Sequence, residues 1–155
     1  MPVSSHRYTQ DLNNPALVLV HGLGSAGNIW KSLVPELIQN FTVYAIDLPG
    51  HGDAALHENE EMDPRSLAQA IVDYMVSEMG IESMHVAGNS LGGWIALEMA
   101  AVAPDNVLSV TALAPAGLWH EQPKRKLPPS FLARILAKIS QHFMKTAYRI
   151  PVLKA

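Results

Sequence analysis

Four short apolar runs, separated by stretches with helical spacing, restrict what this chain can fold into. They are Ala16-Leu-Val-Leu-Val20, Phe41-Thr-Val-Tyr-Ala-Ile46, Met84-His-Val-Ala87 and Val107-Leu-Ser-Val-Thr-Ala-Leu113. Continuous runs of this length suit strands buried on both faces. Between the first two, Trp30, Leu33, Leu37 and Ile38 form one apolar helical face. Between the second and third, Asp63-Pro64 reads as an N-cap and first helical residue, with Leu67, Ile71 and Tyr74 following until Gly80. Leu91 to Ala103 is a third helix, stopped by Pro104. This alternation predicts an α/β fold, a doubly wound and mostly parallel sheet with helices on both faces. Ligands in such folds sit at the carboxyl edge of the strands. HGLGSAG (21–27), DLPGHG (47–52), GNSLGG (88–93) and APAGLW (114–119) all fall on that edge.

The chain has 155 residues, no cysteine and 48% hydrophobic residues. That is enough for one domain with a core, and it rules out disulfides and thiolate metal sites. Residues 1–20 lack the pattern of a secretory signal, and no apolar stretch reaches membrane-spanning length. A soluble, cytoplasmic protein without an integral membrane segment is expected. The net charge of −3 hides a split. Residues 1–119 hold 3 of the 11 basic and 13 of the 14 acidic residues, and residues 120–155 hold the rest. A boundary near Trp119 is expected from that asymmetry.

Gly88-Asn89-Ser90-Leu91-Gly92 fits G-x-S-x-G and lies directly between an expected strand and an expected helix. A turn this tight forces the serine into a strained conformation and needs glycines on either side so that the backbones can pass. The hydroxyl is then held above the sheet, with the positive end of a helix beneath it. Ser90 is the candidate nucleophile.

These motifs give the chain a specific resemblance. VHGLGSAGNIW (20–30), AIDLPGHG (45–52), GNSLGGW (88–94) and LAPAG (113–117) resemble, in order and spacing, the N-terminal part of the α/β-hydrolase fold family over roughly residues 16–119. The resemblance implies an α/β-hydrolase core over 1–119 and the start of a helical cap over 120–155. It implies a serine nucleophile at Ser90, elbow glycines at Gly88 and Gly92, and oxyanion-hole N–H groups on Leu23 and Leu91. It implies hydrolysis of a small-molecule ester or related acyl substrate, or of a carbon–carbon bond, with no cofactor.

GLGSAG also fits the G-x-G-x-x-G dinucleotide fingerprint, with Asp47 twenty residues after Gly27 where a ribose-binding acid would stand. His21, Trp30 and Pro35 fit that reading poorly, and the oxyanion loop is preferred. Asp47 and His51 are expected to shape the strand end rather than to react. His85 is expected in the core, and His57 on a solvated loop. No histidines pair at metal-ligand spacing on a helix, so no metal is expected.

A serine hydroxyl needs a base, and the base needs an orienting carboxylate. In the family the order is Ser, then acid, then His. After Ser90 the chain offers Glu98, Asp105 and Glu121 as acids and His120 and His142 as bases, none where the family places them. The expectation is a fragment or truncated product of a larger hydrolase, lacking the catalytic acid and base. A non-catalytic binding module is the rival reading. In the tail, Phe131, Ile135, Ile139, Phe143 and Ala147 form an apolar stripe opposite Arg134, Lys138, Lys145 and Arg149. It reads as a cap helix rather than a nucleic-acid-binding element. An uncovered sheet edge predicts self-association.

Overall fold

The structure is a computed structural model that describes residues 1–56 and 61–118. The readings of His57, of His120, Glu121 and His142, and of the cap helix lie outside the described residues. Among the described residues, five strands form one sheet: β1 (Ser4–Tyr8), β2 (Ala16–Val20), β3 (Thr42–Asp47), β4 (Met84–Asn89) and β5 (Val107–Leu113). Their order across the sheet is β1-β3-β2-β4-β5. β2 pairs in parallel with β3 and β4, β4 with β5, and only β1 runs antiparallel, against β3.

The two faces of β2 pack on different layers. Ala16, Val18 and Val20 join Tyr44, Ile46, Met84 and Val86 in a core beneath α2 (Pro64–Asp73) and α3 (Leu91–Val102). Leu17 and Leu19 join Val43, Ala45 and Trp30 on the opposite face. Alternate residues of β2 and β3 therefore enter different cores, as the period of two in a strand requires. Each fully buried Val, Leu or Ile here contributes roughly 1.5–3 kcal/mol. This makes β2 and β3 the anchor of the sheet.

α2 begins where the sequence predicts. The Asp63 Oδ1 accepts the N–H groups of Arg65 at 3.0 Å and Ser66 at 3.2 Å, and Pro64 occupies the first turn. The helix widens into a π turn over Tyr74–Glu78 before Gly80 ends it.

Three local expectations need correction. The apolar positions from Trp30 to Ile38 do not form one helix. They split into a 3-10 turn, Gly27–Trp30, and a single turn, α1 (Val34–Leu37), and Leu33 is exposed. Pro35 has no N–H to return to the preceding turn, so the helix starts only there. β5 is not buried on both faces: Leu108, Ser109, Thr111 and Leu113 are exposed, because β5 is the edge strand among the described residues. His85 is half-buried on the sheet face rather than in the core. Its Nδ1 meets the Ser109 hydroxyl at 2.8 Å, and its ring meets Phe41 edge-on.

The register lines the motifs up. Val20 pairs with Ile46 on one side and Gly88 on the other, and Gly88 pairs with Ala112. The residues that follow are His21, Asp47, Asn89-Ser90 and Leu113, and they share one edge of the sheet.

Candidate active site

Ser90 follows the last residue of β4 and precedes α3, with φ 55° and ψ −115°. That is the left-handed region, disfavoured for a residue with a β-carbon. Three backbone bonds keep it there. The Ser90 N–H donates to the Leu113 carbonyl at 3.0 Å, and the Ser90 carbonyl accepts from Ala116 at 2.9 Å and Trp94 at 3.2 Å. The LAPAG segment thus straps the turn from the β5 side. The glycines fit the reason given for them. A Cβ on Gly88 would overlap the Gly92 carbonyl, and a Cβ on Gly92 would overlap the Val20 carbonyl.

The loop after β2 runs beside this turn: a Cβ on Gly22 would stand 3.4 Å from Ser90 Cβ. Residues 22–25 form a turn closed by Ser25 N–H on the Gly22 carbonyl at 3.2 Å, with Gly24 at φ 73°. Among the described residues, the N–H groups of Leu23 and Leu91 donate to no acceptor. The structure therefore brings together Ser90, the Leu23 loop and the first amide of α3, the three elements named from the sequence.

His21 is fully buried at the end of β2. Its Nε2 accepts the Leu48 N–H at 3.2 Å, so its Nδ1 carries the proton and donates to the Gly22 carbonyl at 2.7 Å. Burial, the largest influence, lowers its pKa below 6.5 and keeps the imidazole neutral. His51 has the same tautomer. Its Nδ1–H donates to the Pro49 carbonyl at 3.0 Å, and its Nε2 accepts the Gly24 N–H at 3.3 Å. The two rings lie 5.1 Å apart.

Asp47 has no exposed surface. One carboxylate oxygen accepts Gly27 N–H at 2.6 Å; the other accepts Asp53 N–H at 3.0 Å and meets His6 Nε2 at 3.2 Å. Burial acts most strongly and pushes its pKa up, but the two amide bonds and His6 together bring it below 3.8. The acid that the dinucleotide reading assigns to a ribose is thus enclosed and hydrogen-bonded to backbone, and a 3-10 turn stands where that reading needs a long helix. The register also brings His6, Asp47 and Asp53 to within 4.8 Å of one another. Asp47 already accepts two amides within that group.

No side chain among the described residues hydrogen-bonds the Ser90 hydroxyl. Glu98 lies in α3, where it accepts from the Trp94 indole at 3.2 Å and faces Arg65 at 3.6 Å. Sequence reasoning missed His6 as a partner of Asp47, and it missed the tie from His51 to Gly24. Both join segments distant in sequence, and no local pattern marks either one.

The fold and this elbow define a class. The chain matches the family profile described as alpha/beta hydrolase fold over residues 15–149, and it belongs to that family. It is 32% identical over 142 residues to a pimeloyl-[acyl-carrier protein] methyl ester esterase of Vibrio parahaemolyticus, covering 91% of this chain and 53% of that one. Among solved structures it is similar to a membrane phospholipase A described as a bacterial virulence factor. That likeness has a TM-score of 0.69 and 31% identity, over 80% of this chain and 42% of the other. It is also similar to a variant of a meta-cleavage product hydrolase, with a TM-score of 0.64 and 25% identity, over 73% of this chain and 41% of the other. The chain spans about half the length of the curated relatives it matches. No helix among the described residues is long and apolar enough to cross a membrane.

Proposed function

We propose that this chain carries the nucleophile and oxyanion machinery of a serine hydrolase acting on a small-molecule ester. The observation that carries the reading is Ser90, held at φ 55° on the elbow beside the loop that presents Leu23. Ser90 Oγ bonds to the ester carbonyl carbon as its proton passes to a general base. The carbonyl oxygen takes the negative charge and lies between the N–H groups of Leu23 and Leu91. Preorganised donors of this kind act most strongly where charge develops. Collapse of the intermediate expels the alcohol, which takes the proton from the base. Water then cleaves the acyl-serine by the reverse roles.

No side chain among the described residues hydrogen-bonds the Ser90 hydroxyl, and the supply of a base and its orienting acid is part of the proposal. Residues 120–155 are proposed as the start of the cap that shapes the acyl pocket. The esterase relative supports an ester substrate. The likeness to a meta-cleavage product hydrolase supports carbon–carbon cleavage as the second reading, with the same serine. The rival is a non-catalytic hydrolase-fold module, supported by the absence of any hydrogen-bonding side chain on Ser90 among the described residues.

A fluorophosphonate probe separates them. Stoichiometric labelling that disappears in Ser90→Ala is the expected result. No labelling of the folded chain would overturn the enzyme reading in favour of the binding module.

A further inference from the structure

Leu23 is flanked by two peptide planes, and a different histidine holds each. The plane before it carries the Gly22 carbonyl and the Leu23 N–H. His21 Nδ1–H grips that carbonyl at 2.7 Å. In a trans peptide the C=O and N–H point in opposite directions, so fixing one aims the other. The plane after it carries the Gly24 N–H, which His51 Nε2 accepts at 3.3 Å. Gly24 itself supplies no stiffness: it has φ 73° and nothing within 4 Å of where a Cβ would be. Leu23 is 67% exposed, so packing does not hold this loop either. The Ser25 N–H on the Gly22 carbonyl closes the turn across the second plane, and the His51 bond is the side-chain tie on that plane.

We propose that His51 is a positioning residue for the oxyanion loop, holding the Leu23–Gly24 peptide while His21 holds the Gly22–Leu23 peptide; this rests on the serine hydrolase reading above. The clamp works only with a neutral His51, because Nε2 must keep its lone pair. Protonation places an N–H against the Gly24 N–H, and the tie becomes a repulsion. The titratable groups around His51 are His21, whose ring lies 5.1 Å away and tilted by 49°, Asp47 at the end of β3, and Asp53 two residues on. His21 stays neutral through burial, and the Asp47 carboxylate is engaged by Gly27, Asp53 and His6.

The test uses the full chain, labelled with ¹⁵N, and reads two things separately. The first is the Gly24 amide resonance against pH. The second is the rate at which a fluorophosphonate probe modifies Ser90. Wild type is expected to show the Gly24 amide titrating together with the His51 ring, and probe rate falling on the acid side of that titration. His51→Ala should abolish the Gly24 titration and slow labelling about tenfold, short of the 10²–10³ lost with an oxyanion donor outright. His51→Gln offers an uncharged acceptor near the position of Nε2. It should retain most of the rate at pH 8 with no Gly24 titration, and keep only the acid-side fall that the general base imposes; rescue by Gln and not by Ala is what a merely structural role would not produce. A Gly24 amide that does not follow His51 in wild type overturns the tie. A tie that is present, with labelling unchanged in His51→Ala, overturns the positioning role. Wild-type protein that shows the tie and does not label at all overturns the hydrolase reading, and the positioning role with it, while the NMR readout still reports the contact.

Discussion

Gly88 packs so closely on Gly92, and Gly92 in turn on the end of β2, that neither has room for a β-carbon. A Cβ on Gly88 would overlap the Gly92 carbonyl, and one on Gly92 would lie 2.6 Å from the His21 carbonyl as well as overlapping that of Val20. These obstacles are backbone atoms, which cannot swing aside as a flexible side chain can. The elbow therefore depends on two missing methyl groups as much as on the serine between them.

Gly88→Ala should cost at least about 3 kcal/mol of stability, the upper range for overpacking a rigid site. Gly24→Ala is the control. It meets open space and suffers only the left-handed backbone, roughly 1–2 kcal/mol. Urea unfolding of both variants checks the order. Equal costs would mean that the turn relaxes around Gly88.

The strain at Ser90 is separable from its chemistry. Ser90→Gly removes the β-carbon from a residue at φ 55° and should stabilise the fold by about 1 kcal/mol. Ser90→Ala keeps the β-carbon and should leave stability nearly unchanged. The gap between the two midpoints in denaturant measures the strain.

Acid should weaken the protein in two steps. His21 has a depressed folded pKa, so its contribution is intact above 6.5 and is lost as pH falls below that value toward the folded one. Asp47 is also depressed, so its contribution is intact above 3.8 and is lost as pH falls through its lower folded pKa. Stability against pH should therefore begin to drop near 6.5 and drop again below 3.8. His21→Gln should remove the first step and leave the second. At pH 7, Asp47→Ala should cost about 2–4 kcal/mol, since it leaves the Gly27 and Asp53 amides without their acceptor. Calorimetric melting across the pH range reads both.

Glu98 tests whether an acid in the elbow helix takes part in the chemistry proposed for Ser90. It is the acid closest in sequence after Ser90, yet it pairs with Trp94 and Arg65. Glu98→Gln should change the probe labelling of Ser90 by less than about twofold and stability by no more than about 1 kcal/mol, as expected for a partly exposed ion pair. A hundredfold loss of labelling in a folded variant would make Glu98 part of the catalytic apparatus.

The strand runs, the strand-to-helix elbow and the glycine turn after β2 were legible in the sequence because each is a local device. A run of five apolar residues can be satisfied only by burial. G-x-S-x-G specifies its own turn through the space the glycines leave. Asp63-Pro64 sets its helix start through its own backbone amides. Trp30 to Ile38 shows the limit of such reasoning: the apolar spacing was helical, but the missing N–H of Pro35 decided where the helix could begin.

Tertiary structure alone decided the partners. His6 reaches Asp47 because β1 pairs antiparallel with β3, and His51 reaches Gly24 because β2 and β3 end side by side. The burial that lowers the His21 pKa and the exposure of β5 likewise depend on which strand lies next to which. Hydrogen bonds and desolvation act over a few ångströms in space, whatever the separation along the chain. The sequence by itself therefore determined the fold class and the strained turn at Ser90, and the folded sheet determined which histidines hydrogen-bond the loop beside it.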